Sequence, residues 1–207
     1  MNLADYPTVK FERKEILHHE GEEMAGVYFL YSGKCKLTRY NGNRMPQVIR
    51  LSKSGNWLGL ADLPSLVYNS SAIALGPVQA AFIPREDILK VMKQSTFVSL
   101  TIMQNLCKEI EETERRLFGF AQKNAKERVA ETLLTLANTF GIDKQQFLDV
   151  SLPMKDFASF AGTSSETLSR LFREFQRQHF INVQNKRIQL IDPGSLKKIA
   201  RIPGFAN

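Results

Sequence analysis

The hydrophobic period of the chain changes once, near Pro84, and that change limits the fold to two unlike parts. Before it, short runs of β-branched and aromatic residues are broken by glycine: VKFERKEILHHEG, GVYFLYSGKCKLTRYNGN, PQVIRLSKSGNWLGL, SSAIALG and VQAAFIP. Runs of this kind read as short strands. Many of them in series predict a sandwich or a jelly-roll barrel. Asn41-Gly42 marks the clearest hairpin, because both residue types tolerate the positive φ angles of a two-residue turn. After Pro84 the apolar residues recur at threes and fours, so REDILKVMKQ reads as a short helix and TFVSLTIMQNLCKEIEETERRLFGFAQ as a long one. The expected class is α+β.

On the long helix, Leu106, Ile110, Thr113, Leu117 and Phe120 follow alternating spacings of four and three, flanked by Glu109, Glu111, Glu112, Arg115 and Arg116. This is the pattern of a short coiled-coil seam and predicts a homodimer. A helix packed on its own barrel would show a similar stripe, since the repeat is too short to separate the two.

The last third carries the chemistry. RVAETLLTLANTFG reads as a helix stopped by Gly141, and FLDVSLPM as a short strand and turn. KDFASFAG and SSETLSRLFREFQRQ then read as two helices about Gly162, followed by FINVQNKRIQLID as a hairpin. Phe157, Ala158, Phe160 and Ala161 on the first helix match Leu168, Leu171 and Phe172 on the second, which is the packing of a helix-turn-helix. Thr163 or Ser164 caps the second helix, whose N-terminal end would enter a major groove. Its polar face holds Ser165, Glu166, Ser169, Arg170 and Arg173. A glutamate there can accept from a cytosine amine, and an arginine can donate two bonds to guanine. The candidate DNA-binding residues are therefore Ser164, Ser165, Glu166, Ser169, Arg170 and Arg173, with Lys186 and Arg187 of the hairpin as phosphate contacts. The Glu166–Arg170 pair alone would better suit a surface salt bridge; the order of the surrounding elements reverses that and favours DNA.

Charge agrees in direction. The net charge is +7, with 16 basic against 13 acidic residues in positions 1–124 and 12 against 8 in positions 125–207, so the basic excess is denser in the C-terminal segment. No apolar run approaches the roughly 20 residues of a membrane span, and the N-terminus lacks the apolar centre of a signal peptide. The chain is thus expected in the cytoplasm, without a membrane partner. Cys35 and Cys107 read as reduced thiols and small buried hydrophobes.

These motifs, EG......VYFLYSGKCKL with Gly21 and Gly33 at strand turns, RVAETLLTLA, and LPMKDFASFAGTSSETLSRLFREFQRQHFINVQNKRIQLID, resemble the CRP/FNR family of bacterial transcription regulators over nearly the whole chain. The resemblance implies a jelly-roll effector domain in 1–94, a dimerisation helix and hinge in 95–124, and a winged helix-turn-helix domain in 125–207. It implies a homodimer on double-stranded DNA, switched by a small-molecule effector of unknown identity and without a resident cofactor. It places the hinge around Gly119–Lys126 and a candidate RNA-polymerase-contacting loop at Ile142–Val150. Glu166, Ser169 and Arg170 match the E..SR pattern of the FNR-like branch, whereas Ser165 stands where the CRP-like branch has arginine.

Cyclic-nucleotide binders of the family carry a GE pair and, further on, an RS pair; here the corresponding residues are Gly59-Leu60 and Ser70-Ser71. An effector pocket is expected at Gly59, Leu60, Ala61, Ser70, Ser71 and Thr113, but not for cyclic AMP. Thr113 matches a long-helix threonine that reaches the ligand in the cyclic-AMP branch, and it also fits the seam. The iron–sulfur branch needs four cysteines. Haem would need His18, His19 or a cysteine, but adjacent strand residues point to opposite faces, and a lone histidine there is expected at the surface. Two other readings compete: a cupin-like metal-dependent enzyme, for which only His18, His19 and His179 are present, and an architectural DNA-binding protein with no ligand.

Overall fold

The computed structural model describes residues 3–40, 42 and 45–201. Asn41 of the expected hairpin lies outside the described residues; Gly42 beside it has φ 57°. The chain divides into two compact units, Met1–Arg115 and Arg116–Asn207, with the boundary inside the long helix.

In the first unit, eight strands among the described residues build the jelly roll: β1 (Thr8–Phe11), β2 (Ile16–His18), β3 (Gly26–Ser32), β4 (Lys34–Arg39), β5 (Gln47–Lys53), β6 (Trp57–Leu58), β7 (Ser71–Ala74) and β8 (Val78–Pro84). They form two antiparallel sheets, ordered β1-β8-β3-β6 and β2-β7-β4-β5. The single run VKFERKEILHH is split between them, turning at Lys14 with φ 76°. Leu30, Leu58 and Val78 from one sheet meet Cys35, Leu37, Ala72 and Ala74 from the other to form the core between them. At the turn between β3 and β4, Gly33 has φ 93°, and a Cβ there would lie 2.4 Å from the Pro77 carbonyl oxygen. Only glycine meets both demands.

Two positions depart from expectation. His18 is not at the surface; it is 3% exposed. The register of β2 on β7 shifts between Ile16 and His18, which breaks strict alternation and lets the consecutive Leu17 and His18 both be buried. Cys107, expected to be buried, is exposed, whereas Cys35 is buried and its thiol is pushed up to about 12 by that burial.

The barrel is closed on one side by α1 (Arg85–Gln94) and the first part of α2 (Thr96–Gln122). Ile88, Ile102, Val98 and Leu106 pack there on Met24, Val27, Leu63 and Ile83.

The second unit contains α3 (Ala125–Phe140), α4 (Met154–Ala161), α5 (Ser165–Arg177), the hairpin β9 (Ile181–Gln184) and β10 (Arg187–Leu190), and α6 (Pro193–Ile199). Lys123-Asn124 separates α2 from α3, and Asn124 starts α3 with a reciprocal cap: its side chain accepts from the Glu127 N–H while Glu127 accepts from its own N–H. FLDVSLPM does not form a strand. Residues 142–150 make single bridges, Ile142 to Leu148 and Phe147 to Gln189 of β10, and so form a loop pinned to the hairpin. Helix α6 has the signals of a helix start, Pro193 in its first turn and an Asp192 side chain accepting from the Ser195 N–H at 2.9 Å.

Candidate nucleic-acid interface

The helix-turn-helix is assembled by one glycine, one cap and one apolar stripe. Gly162 ends α4 with φ 64°. Two residues later the Ser164 hydroxyl oxygen accepts from the Thr167 N–H at 3.0 Å and donates to the Thr167 hydroxyl at 2.9 Å, which fixes where α5 begins. Leu168, Leu171, Phe172 and Phe175 are buried, with Phe172 edge-on to Phe157 at 5.2 Å between ring centres. Burying such side chains stabilises the unit by roughly 1.5–3 kcal/mol each.

The opposite face of α5 is open. Ser165, Glu166, Arg170, Arg173 and Arg177 are exposed. Among the described residues no ion pair joins Glu166 to Arg170, so neither side chain is used up by the other. Ser169 is half-buried and its hydroxyl donates back to the Ser165 carbonyl at 2.8 Å. Arg173 reaches the Ser169 carbonyl through Nε at 3.3 Å and leaves the rest of its guanidinium outward. Arg170, Arg173, Gln176 and Arg177 line an open groove along this face. Sequence reasoning stopped at Arg173. The stripe 166, 170, 173, 177 continues at helical spacing and would have found Arg177. Glu174 does not oppose these cations, because it is paired with Lys126 at 2.6 Å.

In the wing, Asn185 (φ 49°) and Lys186 (φ 64°) make the turn, with Lys186 exposed at its tip. Arg187 differs from Lys186. Its Nη2 lies 2.6 Å from Asp143 Oδ2 and its guanidinium stacks 4.6 Å over the Phe147 ring. Hydrogen bonding from Arg187, first of all, holds the Asp143 carboxyl below the usual carboxylate range. Arg187 thus ties the 142–150 loop to the wing, and Lys186 is left open at its tip.

Sequence reasoning also missed a clamp behind the turn. Arg128 of α3 donates from Nη1 to the Lys123 carbonyl (2.6 Å), from Nε to that of Ala161 (3.1 Å) and from Nη2 to that of Gly162 (2.8 Å). Phe120 covers Gly162 so closely that a Cβ there would lie 2.7 Å from its ring. Arg116 lies 4.1 Å over the Phe160 ring, and burial lowers its pKa to about 10.

Phe120, read as a seam residue, is therefore seated on the turn and only 39% exposed. Leu106 packs on the barrel. Thr113 is exposed, with its hydroxyl donating to the Glu109 carbonyl at 2.8 Å. The open apolar positions along α2 are Phe97, Leu100, Met103, Cys107, Ile110 (57%), Leu117 (67%) and Phe118, of which Leu100, Met103, Cys107, Ile110 and Leu117 form a stripe. Of the expected seam, Ile110 and Leu117 belong to this stripe.

In the barrel, Gly59 (φ 88°) leads into a single turn, Leu60–Asp62, that buries Leu60 and Asp62 and exposes Ala61. Ser70 is buried, and the Ser71 hydroxyl accepts from the Glu20 N–H at 2.9 Å. Thr113 stands on α2. A cation near this region that the family pattern does not mark is Arg50 of β5, paired through Nη1 with Glu109 of α2. Among the described residues no cluster of three or more His, Cys, Asp or Glu could hold a metal ion. No described helix is long and apolar enough to cross a membrane.

Comparison with known proteins agrees with this geometry. Residues 8–95 match the cyclic nucleotide-binding domain family, and residues 127–199 match the Crp-like helix-turn-helix domain family. The chain is 28% identical over 198 residues to the transcriptional activatory protein AadR of Rhodopseudomonas palustris, covering 93% of this chain and 80% of that one. It is 25% identical over 192 residues to the transcriptional activator protein Anr of Pseudomonas protegens, covering 91% and 78%. FixK2 from Bradyrhizobium japonicum has the same fold, with a TM-score of 0.84 at 18% identity over 94% of this chain and 96% of that one. Barrel, long helix and winged helix-turn-helix, each matched in order, make the chain a DNA-binding transcription regulator of the CRP/FNR family.

Proposed function

We propose that the chain acts in the cytoplasm as a homodimer whose two α5 helices read half-sites about one helical turn apart, with Glu166 and Arg170 as base readers and Lys186 on phosphate. The observation that carries this reading is the open Glu166/Arg170/Arg173/Arg177 face at the capped end of α5, with Glu174 removed to Lys126. The exposed Leu100, Met103, Ile110 and Leu117 stripe supports pairing along α2. The names of the relatives, activators among them, support a further contact with RNA polymerase, for which the 142–150 loop is our candidate.

The barrel would be the effector domain, with an effector other than cyclic AMP. Leu60 and Ser70 stand where the nucleotide-binding pattern has an acid and an arginine, and a phosphodiester leaving water needs charge-assisted partners.

Two substitutions test the DNA reading. Arg170→Ala should weaken the cognate site by about 1–3 kcal/mol and relax preference at one G·C pair. Lys186→Ala should weaken all sequences alike and flatten the salt dependence. Equal losses on cognate and random DNA for Arg170→Ala would remove it as a base reader.

A further inference from the structure

Buried polar groups in folded proteins almost always have hydrogen-bond partners. Among the described residues of the barrel four such atoms have none: Nε of Arg85, and three on two side chains in one cross-strand row (His18, Ala72, Leu37, Arg50), namely Nδ1 and Nε2 of His18 and Nε of Arg50. His18 is 3% exposed and stacks on Tyr68 at 4.0 Å between ring centres, with the planes 13° apart. Burial above all keeps it neutral, so its ring offers one N–H and one lone pair. Asp62, Glu22 and Arg50 all lie near enough to bear on its charge.

Arg50 is firmly held at one corner only. Its Nη1 holds Glu109, while Nη2 makes a long bond, 3.3 Å, to the Trp57 carbonyl. The Nε–Nη2 edge, which grips a planar carboxylate with two parallel bonds, therefore has one N–H unpartnered and one weakly engaged. We propose that this edge, together with the ring of His18, is a binding site for a small organic carboxylate carrying one further hydrogen-bonding group. The carboxylate lies along Arg50 and the second group meets His18.

The charge balance selects the class. Arg50 is already paired with Glu109, and Asp62 and Glu22 act on the neighbouring His18, so a dianion such as phosphate adds more repulsion than this cation offsets, whereas a monocarboxylate adds less. It also gives the site a consequence. A second carboxylate sharing Arg50 weakens the link from β5 to Glu109, and so loosens one polar contact of α2 with the barrel beside the apolar packing of Val98, Ile102 and Leu106. This consequence rests on the reading of the barrel as an effector domain; the site itself does not.

Trp57 is the only tryptophan and its carbonyl touches Arg50, so its fluorescence reports on the site. The full-length protein would be titrated with acetate, lactate, inorganic phosphate and cyclic AMP. Saturable responses are expected for acetate and, more tightly, for lactate, with none for phosphate. Glu109→Gln, which removes the competing carboxylate, should tighten lactate by about tenfold, the scale of one charge-assisted bond. Arg50→Lys keeps the charge without the planar edge and should lose the response, as should Arg50→Met; thermal melts would identify any variant that fails to fold. His18→Phe should erase the advantage of lactate over acetate. A response that survives Arg50→Lys in folded protein, or cyclic AMP displacing lactate, overturns the proposal, as does no response in either wild type or Glu109→Gln. DNA affinity measured alongside separates the two readings. Lactate bound at Arg50 with unchanged DNA affinity keeps the site and removes the effector role, and DNA affinity that responds to lactate in Arg50→Lys removes the site and keeps the role.

Discussion

Gly162→Ala tests whether the recognition turn is held by the end of α2. Two costs add at this position. At φ 64° a residue with a Cβ is strained by about 1–2 kcal/mol. The new Cβ would also lie 2.7 Å from Cε1 and 3.1 Å from Cδ1 of Phe120, and forcing a methyl group into a filled contact costs about 1–3 kcal/mol. Together they predict a loss of roughly 2–5 kcal/mol. The steric part depends on the Phe120 ring and the backbone part does not, so in a Phe120→Leu background the same substitution should cost only about 1–2 kcal/mol. Hydrogen exchange of the amides in residues 154–177 of the full chain reads both values locally, without assuming that the two units unfold together. Gly162→Asn should be milder than alanine, because asparagine tolerates left-handed backbone. Equal costs for Gly162→Ala with and without the Phe120 ring would refute the contact between them.

The buried His18 predicts an acid-sensitive barrel. Its pKa is lowered from 6.5 to about 4, so the unfolded chain takes up the proton first. Stability is then complete above about pH 6.5 and falls as the pH drops toward 4, by up to ~3 kcal/mol. Urea unfolding followed by Trp57 fluorescence should show this slope in wild type and lose it in His18→Phe; equal slopes would mean that the histidine titrates normally. Leu117→Lys puts a charge in the open α2 stripe and should cost the dimer several kcal/mol, shifting sedimentation to a monomer and weakening DNA binding with it. A Leu117→Lys protein still dimeric at low micromolar concentration would place the seam elsewhere.

The open face of α5 was legible in the sequence because its causes are local. The glycine, the Ser164 cap, the buried stripe from Leu168 to Phe175 and the exposed stripe from Glu166 to Arg177 all lie within one short segment, and helical spacing alone sorts them. The long helix shows how the same signal fails. Val98, Ile102 and Leu106 face the barrel, while Leu100, Met103, Ile110 and Leu117 face out, so α2 has two apolar arcs. A path drawn at spacings of four and three crosses from one arc to the other. Leu106 and Ile110, four apart, thus share helical spacing while meeting different surroundings.

Parity fails in the barrel for a related reason. Alternation places His18 opposite Leu17 only if β2 keeps its register, and the shift between Ile16 and His18 removes that premise. What remains is long-range and carries no local mark. Arg128 sits in AKERVAET as an ordinary helical arginine, yet it collects the carbonyls of Lys123, Ala161 and Gly162, and Glu109 is one of several acids on α2 until it meets Arg50. Both contacts join parts of the chain that periodicity treats separately: Arg128 bridges the α2–α3 linker and the recognition turn, and Arg50 bridges a strand and the helix beside it. An effector can act on DNA only through contacts of this kind, since a ligand shifts an equilibrium only by favouring one arrangement of such links over another. Local signals therefore reveal the open face of α5, and the links through which a ligand in the barrel would act appear only once the chain is folded.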